Sequence, residues 1–340
     1  MIKSLSVYRP APYVTRRLRC RLLCDNAWSA DDTPRVRMDA CSQCLAREFR
    51  SENAGLGYEN PPVFVTSQWP VRQRFYVVYR ALIAVAITGW CAADITYEST
   101  TFYDYKVWKW FIFATNWSFL LLALSAIYNA CTVAVYTCRP YWIMDPMYPR
   151  SMPIVLRLQW IIYNLSCNSA IVVTMSYWSF VAFFSHSELL ATPMSRVKHT
   201  MNTVYVIIDV MITGAPLRVL HMFMTITLGS VYALFNAIYF LNDGTVTDSR
   251  EERHYAYNFM NWNKPVEAVI TCVLCVLQAM LAQVILNFLY RLRMWVFSKF
   301  YYIPDDPTLD SEMQNIVMST STSYNAVDDK SLANDERYAE

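Results

Sequence analysis

The sequence predicts an all-α integral membrane protein, a bundle of about six transmembrane helices with the N and C termini both cytosolic. Three observations predict it. Of the 340 residues, 55% are hydrophobic and only 16% are charged, against about 25% charged in soluble domains. Six glycines beside 11 Trp, 24 Tyr and 16 Met favour long helices over strands. Apolar stretches of membrane-crossing length recur along the chain, each comparable to the ~20 residues that span a hydrocarbon core.

In chain order, span 1 is expected near Phe75–Ala93, span 2 near Trp110–Val135 and span 3 near Leu158–Phe184. The next apolar stretch, Asn202–Leu241, is too long for one crossing and is interrupted by Pro216 and Arg218. It reads as span 4 (about 200–216) and span 5 (about 219–241) joined by a tight turn. Span 6 covers Val266–Leu289. Orientation follows from Lys and Arg, which concentrate on the cytosolic side. Six spans with both ends inside place 21 of the 29 basic residues in the cytosol and 7 outside, with Arg80 inside span 1. The first 25 residues are Arg-rich and hold no apolar core of signal-peptide length, so span 1 is expected to act as its own insertion signal.

The implied domains are a largely disordered cytosolic tail at 1–70, a six-span membrane domain at 71–300 and an acidic, Ser/Thr-rich tail at 301–340. A net charge of +2 is too small to suggest nucleic acid as a partner. The expected partners are the lipid bilayer and membrane or cytosolic proteins. No cofactor or metal is expected. Cys20, Cys24, Cys41 and Cys44 form two close pairs that resemble a four-thiolate zinc site. Their spacing is only partly standard and no Gly knuckle accompanies them, so unstructured or lipidated cysteines are the alternative.

Residues three or four apart share a helix face, and on that spacing spans 2 to 6 each carry a polar line. Span 2 has Thr115, Ser118, Ser125 and Asn129; span 3 has Asn164 and Asn168; span 4 has His199, Asn202, Asp209 and Thr213. Span 5 has Arg218, His221, Thr225, Tyr232, Asn236 and Tyr239, and span 6 has Glu267, Thr271, Cys275 and Gln278. In lipid these lines must turn inward. Asp209 stands near mid-membrane, where a charge costs about 2.5–3.5 kcal/mol on insertion scales. It therefore needs a partner, with Asn164, Asn168, Asn236 or Arg218 as candidates. Interhelical bonding that holds the bundle explains such a cluster as well as a hydrated functional cavity does. Arg218 and His221, one turn apart at the start of span 5, read as topology anchors. The lines are expected to meet in the outer half of the bundle, around Thr115, His199, Asn202 and Asp209.

Several stretches resemble the rolling stone family, associated with myoblast fusion. They are SQW at 67–69, KWFIFATNWSF at 109–119, WIIYNLSCNSAIVVTMSYW at 160–178, HTMNTVYVIIDVMITGAPLRVLH at 199–221, YALFNAIYFLNDGT at 232–245 and NWNKP at 261–265. The likeness runs over about 65–300. Departures fall at Asp243-Gly244, where paired glycines are expected, and at Asn261, where Asp is expected. The resemblance implies a non-enzymatic protein of the plasma membrane, rather than the endoplasmic reticulum, acting in cell–cell fusion or adhesion.

The pattern is more distantly similar to the androgen-induced membrane hydrolases, which cleave branched fatty-acid esters with an intramembrane Thr and His. That likeness implies an alternative, an intramembrane threonine hydrolase of fatty-acid esters. It maps the threonine motif onto Phe113-Ala114-Thr115, the catalytic histidine position onto Asn202 and an accessory histidine onto His199. Asn cannot serve as a general base, so His199 is the base left to consider. A third reading, a channel or transporter, lacks the internal repeat common in such folds.

Overall fold

The computed structural model describes residues 48–145, 151–181, 192–248 and 251–301. Helices occur at all six expected places: α1 Gln73–Thr101, α2 Ala114–Cys138, α3 Ile154–Ser176, α4 Pro193–Ile212, α5 Met222–Leu241 and α6 Pro265–Phe300. Four are long and apolar enough to cross a membrane: α1, α2, α5 with the short turn before it, and α6. The helical membrane fold is thus as the sequence predicts. α3 and α4 carry more polar residues, and much of that polarity is buried inside the bundle.

Local sequence sets the helix ends. Thr192 caps α4 by accepting the Ser195 N–H at 3.1 Å, with Pro193 in the first turn. α4 stops at Ile212, just before Gly214-Ala215-Pro216, because Pro216 has no N–H to continue the ladder. α5 ends at Leu241, and Asp243 then takes φ 53°, the left-handed conformation that reverses the chain after a helix. An expected glycine therefore lies where the backbone demands positive φ. A two-stranded antiparallel ribbon, β1 Val246–Asp248 with β2 Glu251–Arg253, follows in the α5–α6 connection.

The core runs down the bundle axis through Phe119, Leu122, Trp160, Tyr163, Val206, Val210 and Leu286, all buried. The opposite faces, such as Phe75, Val78, Leu82 and Val85 on α1, are exposed and apolar, as lipid-facing surfaces must be.

At one end, the base, residues 48–72 pack against the bundle instead of trailing off as the expected tail. Phe64 and Val65 are buried. Ser67 pairs with Thr213 in a β-bridge, and the Trp69 indole donates to the Met211 carbonyl at 2.7 Å. Arg218 donates to the Gly55 and Gly57 carbonyls at 2.7 and 2.9 Å. A tail reading fails here because the segment's few large apolar residues bury, and its backbone carbonyls receive charged donors. Arg293 of α6 closes the same end, donating to the carbonyls of Val210, Thr213, Gly214 and Ala215. A cation on the C-terminal carbonyls of α4 also opposes the helix dipole favourably.

The chain divides into two units, 1–296 and 297–340. The bundle belongs to the first. The described part of the second is the end of α6, where Phe297 and Tyr301 stack 5.1 Å apart. Cys20, Cys24, Cys41 and Cys44 lie outside the described residues, as does most of the C-terminal tail.

Candidate functional site

At the end of the bundle opposite the base, α2 begins, α4 begins and α1 finishes. Thr115, in the first turn of α2, and His199, in the second turn of α4, are 84 residues apart in sequence. Their side chains meet: Thr115 Oγ1 is 3.2 Å from His199 Nε2. The His199 Nδ1–H donates to the Ser195 carbonyl at 2.6 Å. That bond places the proton on Nδ1 and leaves Nε2 as the acceptor facing the threonine hydroxyl. Tyr177 stacks on the imidazole at 3.9 Å and 18°, and the Thr174 hydroxyl donates to the His199 carbonyl. The ring is held on both its edge and its face.

Tyr257, from the α5–α6 connection, completes the group, with its hydroxyl 3.3 Å from Thr115 Oγ1. Burial pushes the Tyr257 hydroxyl from 10 up to about 12, against hydrogen bonds from Thr115 and the backbone of Thr115 and Ala114 that pull the other way. It is thus a neutral O–H donor at physiological pH. A cleft with room for about one water molecule is lined by Glu98, Phe113, Thr115, Asn116, Ser195, Lys198 and His199.

Beside the cleft lies a buried ion cluster. The Lys198 ammonium donates to Asp94 Oδ2 at 2.8 Å, Glu98 Oε1 at 2.7 Å and Asn116 Oδ1 at 2.8 Å. The Trp110 indole donates to Asp94 Oδ2 at 3.0 Å, and the Tyr103 hydroxyl to Glu98 Oε2 at 3.2 Å. Burial first, and the adjacent Glu98 carboxylate second, hold the Tyr103 hydroxyl well above its usual range.

The structure sorts the sequence-derived residues differently from their expected meeting place. Asn202 is buried but lies one turn deeper on α4 than His199, ~4.5 Å further along the axis. The histidine at the accessory position, not the residue at the catalytic one, faces Thr115. Asp209 is also absent from this group. It sits nearer the base and pairs with Arg80 at 2.7 Å and the Tyr79 hydroxyl at 2.8 Å, rather than with Asn164, Asn168, Asn236 or Arg218. Arg80 reaches it because Tyr76, Arg80, Ala84, Ile87, Cys91, Asp94 and Glu98 form one buried face of α1.

The remaining polar residues form two further groups. Gln283 donates to Asn164 Oδ1 and to the Arg218 carbonyl, each at 2.8 Å, and accepts from Asn168 at 2.7 Å. Asn164 in turn donates to the His221 carbonyl at 3.3 Å. Arg218 and His221 both lie against the Trp160 ring, 4.7 Å between centres in each case. Asn236 stands apart, accepting the Trp262 indole N–H at 2.9 Å. On α6 the buried residues are Ala268, Ala279, Ala282, Gln283, Leu286, Asn287 and Arg293, while Thr271, Cys275 and Gln278 of the expected line are half-buried. Glu267 is exposed, whereas the Thr271 hydroxyl donates to the Phe259 carbonyl at 2.7 Å and Gln278 accepts from Ser176 at 2.6 Å.

Sequence reasoning missed Lys198, Asp94, Glu98 and Tyr257. Lys198 was countable on the α4 polar line, one turn before Asn202, yet it read as an outer-loop charge. Asp94 and Glu98 fall just beyond the expected end of span 1 at Ala93.

The fold and site define a class: a helical membrane protein with a buried Thr–His–Tyr group at one end. A family model described as protein rolling stone matches residues 36–307, and the chain belongs to the rolling stone family. It is 29% identical over 259 residues to protein rolling stone of Drosophila melanogaster, covering 73% of this chain and 89% of that protein. No solved structure matches it.

Proposed function

We propose that this protein is a membrane-embedded lipid-ester hydrolase with Thr115 as nucleophile and His199 as base. The observation that carries this reading is the 3.2 Å contact between the Thr115 hydroxyl and the free nitrogen of an oriented His199. A threonine hydroxyl becomes a nucleophile only with a base in hydrogen-bond reach. In the first step Thr115 Oγ1 attacks the ester carbonyl carbon while its proton passes to His199 Nε2. The same proton then leaves with the alcohol, and an acyl-threonine remains. A water deprotonated by His199 attacks the acyl carbonyl, releasing the fatty acid and restoring the hydroxyl. Tyr257 donates to the oxygen that becomes negative in each step, and the first amides of α2 add their dipole there.

The full reading has six crossings with both termini cytosolic, which sets the Thr115–His199 pair in the outer half of a plasma-membrane protein. Purified full-length protein in lipid nanodiscs should hydrolyse fatty-acyl nitrophenyl esters. Both Thr115→Ala and His199→Ala should reduce kcat by about 100-fold or more. Wild-type rates in Thr115→Ala would refute the reading.

A second reading concerns the cellular role and is favoured by family membership across residues 36–307: action in cell–cell fusion or adhesion, in the manner of myoblast fusion. Deleting the protein from a fusion-competent cell should lower fusion. Normal fusion in a complete knockout, with no close relative expressed, would refute this second reading.

A further inference from the structure

Two consecutive residues of α2 face two consecutive residues of α4. Thr115 meets His199 at 3.2 Å, and Asn116 meets Lys198 at 2.8 Å. We propose that Lys198 is a positioning residue, locking α1, α2 and α4 together so that His199 stays within reach of the Thr115 hydroxyl; this rests on the reading of Thr115 as nucleophile. An ammonium has three donors, and Lys198 spends them on Asp94, Glu98 and Asn116 at 2.7–2.8 Å. Two of those partners come from α1 and one from α2, so a single charged atom ties three helices at one point.

The partners are themselves fixed. Asn116 donates to Glu98 Oε2 at 3.3 Å and to the Trp110 carbonyl at 2.7 Å, while the Trp110 indole holds Asp94. Asp94, Lys198, Asn116 and Trp110 are all buried, and charge interactions are strong where solvent is excluded. A buried ion pair is weak evidence for added stability, and fixing register is the best-attested use of such a group. The register here is that of α4 against α2, which decides whether the base reaches the nucleophile.

The test uses full-length protein in nanodiscs with a medium-chain nitrophenyl ester as substrate. Lys198→Met is expected to lower kcat by about 100-fold, the cost of a displacement near 1 Å, with KM changed less than about threefold. Removing one buried charge alone can unfold the chain, so the neutral triple variant Asp94→Asn, Glu98→Gln, Lys198→Met is measured beside it, with the same loss of kcat expected. In a cysteine-free background, Thr115→Cys with His199→Cys is treated with a short dithiol-bridging fluorophore. Bridging should fall severalfold when Lys198→Met is added. A folded triple variant with wild-type kcat, or a bridging yield unchanged by Lys198→Met, would overturn the proposal. If the wild type shows no turnover, the hydrolase reading fails and the bridging yield alone decides the role of Lys198.

Discussion

Arg80 and Asp209, 129 positions apart, form an ion pair of 2.7 Å with both side chains buried. Tyr76 accepts two N–H groups of the same guanidinium at 2.8 and 3.0 Å, and Tyr79 donates to the carboxylate. Removing one partner strands a charge in the bundle interior, which costs about 3–5 kcal/mol. Asp209→Ala should therefore lower the unfolding midpoint in detergent sharply. The double variant Arg80→Met, Asp209→Leu should recover much of the loss, because it leaves no unpaired charge. Equal loss in the single and double variants would contradict this.

Gly214 marks where segment 48–72 meets the base. A Cβ there would stand 2.4 Å from the Val63 carbonyl oxygen, a backbone atom. Gly214→Ala should force the segment outward at a cost of about 1–3 kcal/mol. Limited proteolysis should then cut within residues 55–72 faster than in the wild type, and an unchanged cleavage rate would show that the segment is not held there.

Asp243 holds φ 53°, a conformation that costs a residue with a Cβ about 1 kcal/mol and costs glycine little. Asp243→Gly, which restores the pair of glycines expected by resemblance, should stabilise the fold by about 0.5–1 kcal/mol. Thermal unfolding in detergent reads the sign directly.

Tyr257 has a hydroxyl raised from 10 to about 12 by burial. Folding favours its protonated form, so its contribution is fully present below pH 10. It is lost as pH rises towards 12, where the unfolded chain releases the proton first. The unfolding midpoint should fall across pH 10–12, and Tyr257→Phe should make that fall smaller. An identical fall in the variant would show that Tyr257 is not buried as described.

Much of the fold was legible because a hydrocarbon core imposes a length and a polarity that a sequence must honour. The apolar runs that became α1, α2, α5 and α6 could have no other use. Polar spacing likewise found Thr115 and His199 as members of inward faces. What stayed hidden were pairings between charges far apart in sequence. Arg80 and Asp209 each looked like an anomaly in its own span, and only the packing of α1 against α4 shows that they cancel. Lys198 and Glu98 stayed hidden for the same reason: a charge near a helix end looks solvated until another helix arrives to bury it. The Asn202 position misled because one helical turn separates two residues on the same face, and sequence alone does not say which turn faces Thr115. Segment 48–72 escaped notice because its large apolar residues are few and without helical period, and the carbonyls it offers to Arg218 carry no residue signature.

The central claim is that the Thr115 hydroxyl is a nucleophile made by His199. Its most direct test is covalent labelling of the full-length protein in nanodiscs with a serine-hydrolase-type phosphonate probe, followed by peptide mass mapping. An adduct on the Thr115 side chain, absent in Thr115→Ala and reduced by about 100-fold or more in folded His199→Ala, is the predicted result. A folded wild-type protein that acquires no adduct at Thr115, or one whose labelling survives Thr115→Ala, would contradict it.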